Sequence, residues 1–399
     1  MIKITDKSSC CGCTACANIC PNESIKMLPD EEGFLYPSIE ISSCVECGMC
    51  NKVCPIQQGQ KHKSGNLESY VLRTKSNDIL MNSTSGGFVT PLAEYVLKHS
   101  GVVCAATYDE NFTVKHIVIN SGGGIALNNI RGSKYVQSDL NDCFKKVKSY
   151  LEQSRMVCFI GTTCQVNGLK SFLLRDYEGL ITVDLVCHGV PSPKLWSKYL
   201  NYQRNKYHSE IKKISFRNKT YGYHSGTMKI CFSNGKTYCG SARVDYMLRS
   251  FFKEIASRPS CYQCVFKTIN RCSDYTIYDC WHASQLVLDL EDDDKGYTNV
   301  IVQSEKGKEL LEQIKDAYEI FPVDTEKAVK LDGVMVENSA VPHEKRNEFY
   351  KDIDEKTLPE KVQQFIPITW KDQFIEKSKA VVYKAGVYQI IKNVLKNES

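Results

Sequence analysis

The sequence predicts a small α+β module dense in cysteine, followed by a larger α/β domain. Two observations carry this. Nine of the 20 cysteines fall within the first 54 residues. From about residue 68, β-branched runs of five to eight residues alternate with longer amphipathic segments, the pattern of strands and helices in one α/β layer. The 399 residues leave room for two or three domains at roughly 100–200 residues each. With 42% hydrophobic, 24% charged and 10% aromatic residues, the composition excludes a disordered or collagen-like chain.

No apolar stretch approaches the length of a transmembrane helix, and the start MIKITDKSSCCGC has no apolar signal region. A cytoplasmic protein is expected. In that reducing compartment clustered thiols read as metal ligands or redox groups rather than disulfides. The formal charge of +5 is mild, and no nucleic-acid partner is expected.

Residues 1–58 are too short to build a large core and need staples, which metal would supply. The polar, glycine-containing stretch 59–67 reads as a linker. In the domain at 68–320, strands are expected at 69–75, 101–108, 113–120, 155–161, 179–187 and 297–303. Helices are expected at 87–99, 139–153, 163–175, 193–207, 243–256 and 306–318. Strands at 211–218 and 227–238 look antiparallel, the second bending at Asn234-Gly235. Residues 321–399 read as a charged, helical C-terminal extension.

Cys10, Cys13, Cys16 and Cys20-Pro21 follow the spacing C-x2-C-x2-C-x3-C-P, and Cys44, Cys47, Cys50 and Cys54-Pro55 repeat it. This is the bacterial two-cluster ferredoxin arrangement, in which the fourth cysteine of each run ligates the other cluster. Cys10, Cys13, Cys16 and Cys54 are therefore expected to hold one [4Fe–4S] cluster, and Cys44, Cys47, Cys50 and Cys20 the second. Gly12 and Gly48 sit where such a loop needs positive φ and close backbone approach. The competing reading is a pair of structural zinc sites, which more often join two CxxC knuckles. Cys11 is surplus and reads as a bystander.

Three glycine-bearing segments stand out: 83–87 (STSGG), 131–138 (RGSKYVQS) and 161–169 (GTTCQVNGL). Hydroxyls, a nearby cation and backbone N–H groups at a helix start suit a diphosphate. None has Rossmann or P-loop spacing, and each taken singly reads first as a tight turn with an N-cap. Cys164 and Cys187 fall at carboxyl ends of neighbouring strands, where α/β ligand sites form. With Cys261 and Cys264 they make four ligands, enough for a third cluster. His188 reads as a proton donor beside a redox centre or as a structural histidine. Cys104, Cys143, Cys158, Cys231, Cys239, Cys272 and Cys280 read as core residues.

Taken in order, these segments resemble the beta-subunit family of the deazaflavin (coenzyme F-420) hydrogenases and dehydrogenases. The resemblance runs from the ferredoxin block through STSGG, RGSKYVQS, GTTCQVNGL, VCHGVPSPKLWSKYL (186–200), SCYQCVFKTINRCSDYTIYDCW (260–281) and DDDKGYTNVIVQSEKGKELL (292–311). It implies an α/β flavin-binding domain, FAD, and a third cluster at Cys164, Cys187, Cys261 and Cys264. It also implies FAD contacts at Ser83, Ser85, Gly86, Gly87, Arg131, Gly132, Ser133, Lys134, Gly161, Thr162 and Gln165. Thr163 stands where the family usually has proline. Cys272, Tyr278 and Cys280 depart from its small or aromatic residues. The last 80 residues lie outside it.

The function expected is an iron–sulfur flavoprotein oxidoreductase. It would pass electrons between the clusters and FAD, and on to a deazaflavin or other small molecule, with a ferredoxin or redox protein as partner. The rival is a non-catalytic electron-transfer subunit for a partner enzyme, as in surface-polysaccharide synthesis. Apolar and lysine residues alternate at helical spacing over 374–397. They read as a terminal helix packed on its own domain or as a peripheral contact with an anionic membrane or a partner.

Overall fold

The computed structural model describes residues 2–59, 67–120, 124–388 and 392. The expected linker, apart from its two ends, lies outside the described residues. The chain forms two compact units: residues 1–195 with 257–342, and residues 196–256 with 343–399.

Numbered along the chain, the first unit begins with β1 (Ile25–Pro29), β2 (Leu35–Ile39), β3 (Glu68–Thr74), β4 (Val102–Tyr108), β5 (Val114–Ile119), β6 (Val157–Thr162) and β7 (Leu180–Leu185). The second unit holds β8 (Ile211–Asn218), β9 (Thr227–Phe232) and β10 (Thr237–Gly240). The chain then returns to the first unit for β11 (Tyr275–Cys280), β12 (Tyr297–Val302) and β13 (Tyr318–Val323).

In the first unit β1 and β2 pair as an antiparallel hairpin within the cysteine-rich module. The other strands form one mixed sheet in the order β13-β3-β12-β11-β7-β6-β4-β5. β4, β6, β7 and β11 run parallel. β3 points the same way, two antiparallel pairings from β11. One edge of the sheet therefore collects the carboxyl ends of five strands, at Thr74, Tyr108, Thr162, Leu185 and Cys280.

Both faces are covered, which is why β6 and β12 are near-continuous apolar runs rather than alternating ones. One core contains Phe88 at the cap of helix Val89–Lys98, Leu92 and Val96 within it, and Leu310, Leu311 and Ile314 from helix Glu305–Ile314. The other contains Phe144 and Val147 from helix Cys143–Glu152 and Val166 and Leu169 from helix Thr163–Leu173. Cys13, Ala15 and Val53 of the cysteine-rich module belong to this second core. Each large side chain fully buried there contributes roughly 1.5–3 kcal/mol.

The second unit carries the antiparallel sheet β10-β9-β8, with Gly235 at φ 83° in the expected turn. Trp196 stacks on Tyr199 and Phe216. Asp245 caps its helix through Leu248 and also accepts from Tyr199.

Four elements differ from expectation. β11 lies where no element is expected, because the flanking cysteines obscure the Tyr-Thr-Ile-Tyr run. The hairpin β1–β2 is not expected in so short a module. The helix expected to reach residue 318 ends at Ile314, and Tyr318 starts β13. Pro322 suits β13 to its place at the edge of the sheet. The terminal helix spans Trp370–Lys384, and Gly386 at φ 74° stops it. Ile390, Ile391, Val394, Leu395 and Lys396 lie outside the described residues. Glu376 accepts from the backbone and hydroxyl of Ser241, and Lys379 lies over the Tyr221 ring, so this helix packs on its own unit. Among the described residues no helix is long and apolar enough to cross a membrane.

Candidate redox site

The two cysteine runs form matching loops. Counted from the first cysteine, Gly12 matches Glu46 and Thr14 matches Gly48. All four are left-handed, at φ 70°, 50°, 63° and 73°. Each loop then enters a short helix, Ala15–Ile19 or Met49–Lys52.

Cys10, Cys13, Cys16 and Cys54 lie within one another's electrostatic reach. Burial pushes the Cys16 thiol up to about 12, with Cys10 and Cys54 adding to the effect. Cys20, Cys44, Cys47 and Cys50 line one cavity with Ile25 and Ile39. Cys54 of the second run thus lies near Cys10 and Cys16 of the first, and Cys20 of the first lies near Cys44, Cys47 and Cys50 of the second. Among the described residues no side-chain set is tight enough for a single metal ion; the thiolates of a cubane each bind a different iron and stand farther apart.

Cys164, Cys187, Cys261 and Cys264, far apart in sequence, also come together. Cys261 is pushed well above its ordinary value, first by burial and then by Cys187, Cys164 and Cys264. Cys164 sits in the first turn of helix Thr163–Leu173, Cys187 lies just past β7, and the CxxC pair is borne by the turn Pro259–Gln263. Gly189, at φ 144°, lets the two loops meet: a Cβ there would lie 2.5 Å from Ser257 Oγ and 3.6 Å from Cys261 Cβ.

Two cations that the sequence did not single out flank these thiols. Lys267 donates from Nζ to the carbonyls of Cys187 and Met335, at 2.5 and 2.6 Å. Arg271 bonds Thr163 Oγ1 at 2.6 Å and pairs with buried Asp184 at 3.2 Å. The hydroxyl of Thr163, the departure from proline, thus has a structural use. Four thiols with flanking cations form a donor set that fits an anionic cluster. His188 follows Cys187 and is half-buried.

The glycine segments gather on the same carboxyl edge. Gly86 is wedged between β3 and β12, where a Cβ would lie 2.3 Å from the Leu72 carbonyl. Its N–H donates to Thr298 Oγ1, and Ser85 shares a hydrogen bond with the same hydroxyl. Ser83 caps the Ile79 carbonyl, and Gly87 is left-handed at φ 79°. Thr84 joins the first segment to the second through Ser133, whose hydroxyl and N–H lie at 3.0 and 2.9 Å. Such hydroxyl pairs can be exchanged for phosphate oxygens. Gly132 has open space where a side chain would begin.

Arg131 reaches Asp78 and Thr90. Lys134 turns Nζ onto the carbonyls of Ile130, Arg131 and Gly132, at 3.3, 3.2 and 3.2 Å. It also lies 5.4 Å from the centre of the Tyr108 ring. Burial pulls its ammonium down to about 7, so a neighbouring anion would restore its charge.

In the third segment Gln165 and Thr162 form a capping box, and Thr162 Oγ1 lies 3.2 Å from Cys164 Sγ. Gly161 is packed against Gln165 and Phe159. His116, which no sequence pattern marks, ties the second segment to the strand that leads into the third, through Ser138 and the Ile160 carbonyl. Burial holds its pKa down to about 4, so the ring is neutral.

Residues 154–326 match the family described as the C terminus of the coenzyme F420 hydrogenase/dehydrogenase beta subunit. That match spans 173 of the 399 residues. Residues 9–57 match the 4Fe-4S dicluster domain, so the chain joins a two-cluster iron–sulfur domain to a beta-subunit domain of the hydrogenase/dehydrogenase type. No curated protein sequence matches. Among solved structures, the F420-reducing [NiFe] hydrogenase complex from Methanosarcina barkeri is 18% identical. It has a TM-score of 0.45 over 76% of this chain and 92% of that one.

Proposed function

We propose that this chain is an iron–sulfur flavoprotein oxidoreductase. Electrons would pass among a first cluster at Cys10, Cys13, Cys16 and Cys54, a second at Cys20, Cys44, Cys47 and Cys50, a third at Cys164, Cys187, Cys261 and Cys264, and FAD. A deazaflavin or another small molecule would be the acceptor or donor, and a ferredoxin-like protein the partner. The supporting observation is that the four-cysteine set and all three glycine segments share one carboxyl edge of the sheet, the usual place for ligands in α/β folds.

Ser83, Ser85, Gly86, Gly87, Arg131, Gly132, Ser133 and Lys134 would hold the flavin dinucleotide, with Gly161, Thr162 and Gln165 shaping its neighbouring wall. FAD supplies the step between single electrons and a hydride. His188 would move a proton beside Cys187. Lys267 would offset the negative charge of the third cluster. A second reading, an electron-transfer subunit without a substrate of its own, is favoured by the solvent-exposed Cys47.

Anaerobic purification of the full chain tests the cofactors. About twelve irons per chain and released FAD are expected, given about four irons per cluster. About eight irons would remove the third cluster, and zinc in place of iron would reject the reading. Oxidation of the reduced protein by a deazaflavin would support the enzyme; reaction only with ferredoxin would favour the subunit.

A further inference from the structure

The first cysteine run and the four-cysteine set are neighbours. Cys13 stands against the helix that begins near Cys164: a Cβ at Gly168 would lie 2.7 Å from Cys13 Cβ and 2.9 Å from its Sγ. The Cys11 thiol lies at the same junction, within electrostatic reach of Cys13 and of Cys164.

Arg258 is at the same junction, fully buried at 0% exposure. Its Nε donates to the Cys10 carbonyl at 2.8 Å. Its Nη1 donates to the Leu35 carbonyl at 3.1 Å and to Gln137 Oε1 at 3.3 Å. The guanidinium lies 3.8 Å from the centre of the Tyr36 ring, and Nη2 has no hydrogen-bond partner. The backbone has made room for it: a Cβ at Gly12 would come within 2.5 Å of Gln137 Nε2 and 3.2 Å of Arg258 Nη1. Carbonyls, an amide and a ring are uncharged partners. A cation buried among them carries a large desolvation cost unless negative charge is close. The ionisable groups within its reach include two sulfurs, Cys10 and Cys164, beside the Tyr36 hydroxyl.

We propose that Arg258 is a positioning residue that places a fixed positive charge between the first cluster and the four-cysteine site, and that it raises the reduction potential of the first cluster. The inference rests on the cluster placement proposed above. A reduced cluster carries one more negative charge than an oxidised one, so a buried cation and donors aimed at its sulfurs favour the reduced form. The second cluster, bound by Cys20, Cys44, Cys47 and Cys50, lacks this neighbour and serves as an internal reference.

The test is a potentiometric titration of the full chain, purified anaerobically and read by electron paramagnetic resonance, with iron counted in each sample. In iron-loaded Arg258→Gln the reduced-to-oxidised ratio of one cluster should fall about tenfold at a given potential, which is ~59 mV for a one-electron couple. The other cluster should not move. Gln137→Glu, nearly the same shape, sets a carboxylate beside Nη1 and should move the same cluster in the same direction by about threefold, a charge-pairing effect weaker than removal. Iron-loaded Arg258→Gln with unchanged potentials would overturn the proposal. If Arg258→Gln loses its iron, Gln137→Glu decides, and unchanged potentials there overturn it as well. A wild-type protein without iron would instead overturn the cluster placement.

Discussion

The first cysteine run is walled in, with Cys13 and Cys16 buried and Gly12 pressed toward Gln137 and Arg258. The second run presents Cys47 to solvent, and Gly48 has nothing within 4 Å of where a side chain would begin. Val45 and Ile41 beside it are 62% and 72% exposed. Identical spacing has thus been placed in opposite surroundings. Solvent exposure and hydrogen bonds to sulfur are levers on cluster potential, so the contrast gives two chemically similar sites different work. In the proposed path the second run exchanges electrons with a partner and the first passes them inward.

The contrast is broken or sharpened most strongly by removing one ligand from each run. Cys47→Ser should lose about four irons and leave the fold standing. Cys13→Ser should lose as many and also melt earlier, because a hydroxyl left in an apolar core costs about 1–3 kcal/mol more. Iron counts beside thermal melts decide this, and equal melts would mean that the first run is no more built into the core than the second.

A smaller effect is expected in the order of cluster loss. On exposure to air and an iron chelator, iron should leave in two phases, the faster by about tenfold and amounting to about four irons from the exposed cluster. Cys47→Ser should abolish the fast phase. A single phase in the wild type would argue that both clusters are equally open.

The smallest expected effect comes from two glycines. Gly168→Ala should cost about 1–3 kcal/mol by overpacking against Cys13 and should perturb the first cluster's spectrum. Gly48→Ala should cost about 1 kcal/mol through its left-handed backbone alone, with both spectra unchanged. Matching spectral changes in the two variants would erase the distinction between the runs.

Much of this was legible in the sequence. The cysteine spacing picked out groups that the structure brings near one another, Cys54 beside Cys10 and Cys16, and Cys20 beside Cys44, Cys47 and Cys50. Strands such as β4, β6 and β12 announced themselves as short β-branched runs. β11 and β13 did not, one hidden among cysteines and the other containing a proline that only an edge position tolerates. Arg258, Lys267 and His116 were illegible for a different reason. Each matters through partners 22 to 248 residues away in the chain, as Arg258 does with Cys10 and Gln137, and no local pattern marks such a meeting.

The left-handed positions of the two loops carry a consequence for how the protein is made. At one site glycine stands in the first run and Glu46 in the second; at the other, Thr14 stands in the first run and glycine in the second. Thr14 and Glu46 therefore hold a conformation that costs an ordinary residue about 1–2 kcal/mol. Ligation to a cluster would offset this strain, since metal-binding free energy acts as folding free energy. A newly synthesised chain awaiting its iron would keep the strain without that return. Its first fifty-odd residues would open more often and be cut more readily by proteases than those of the loaded protein, so cells short of iron or sulfur would clear the empty form before it could compete for redox partners.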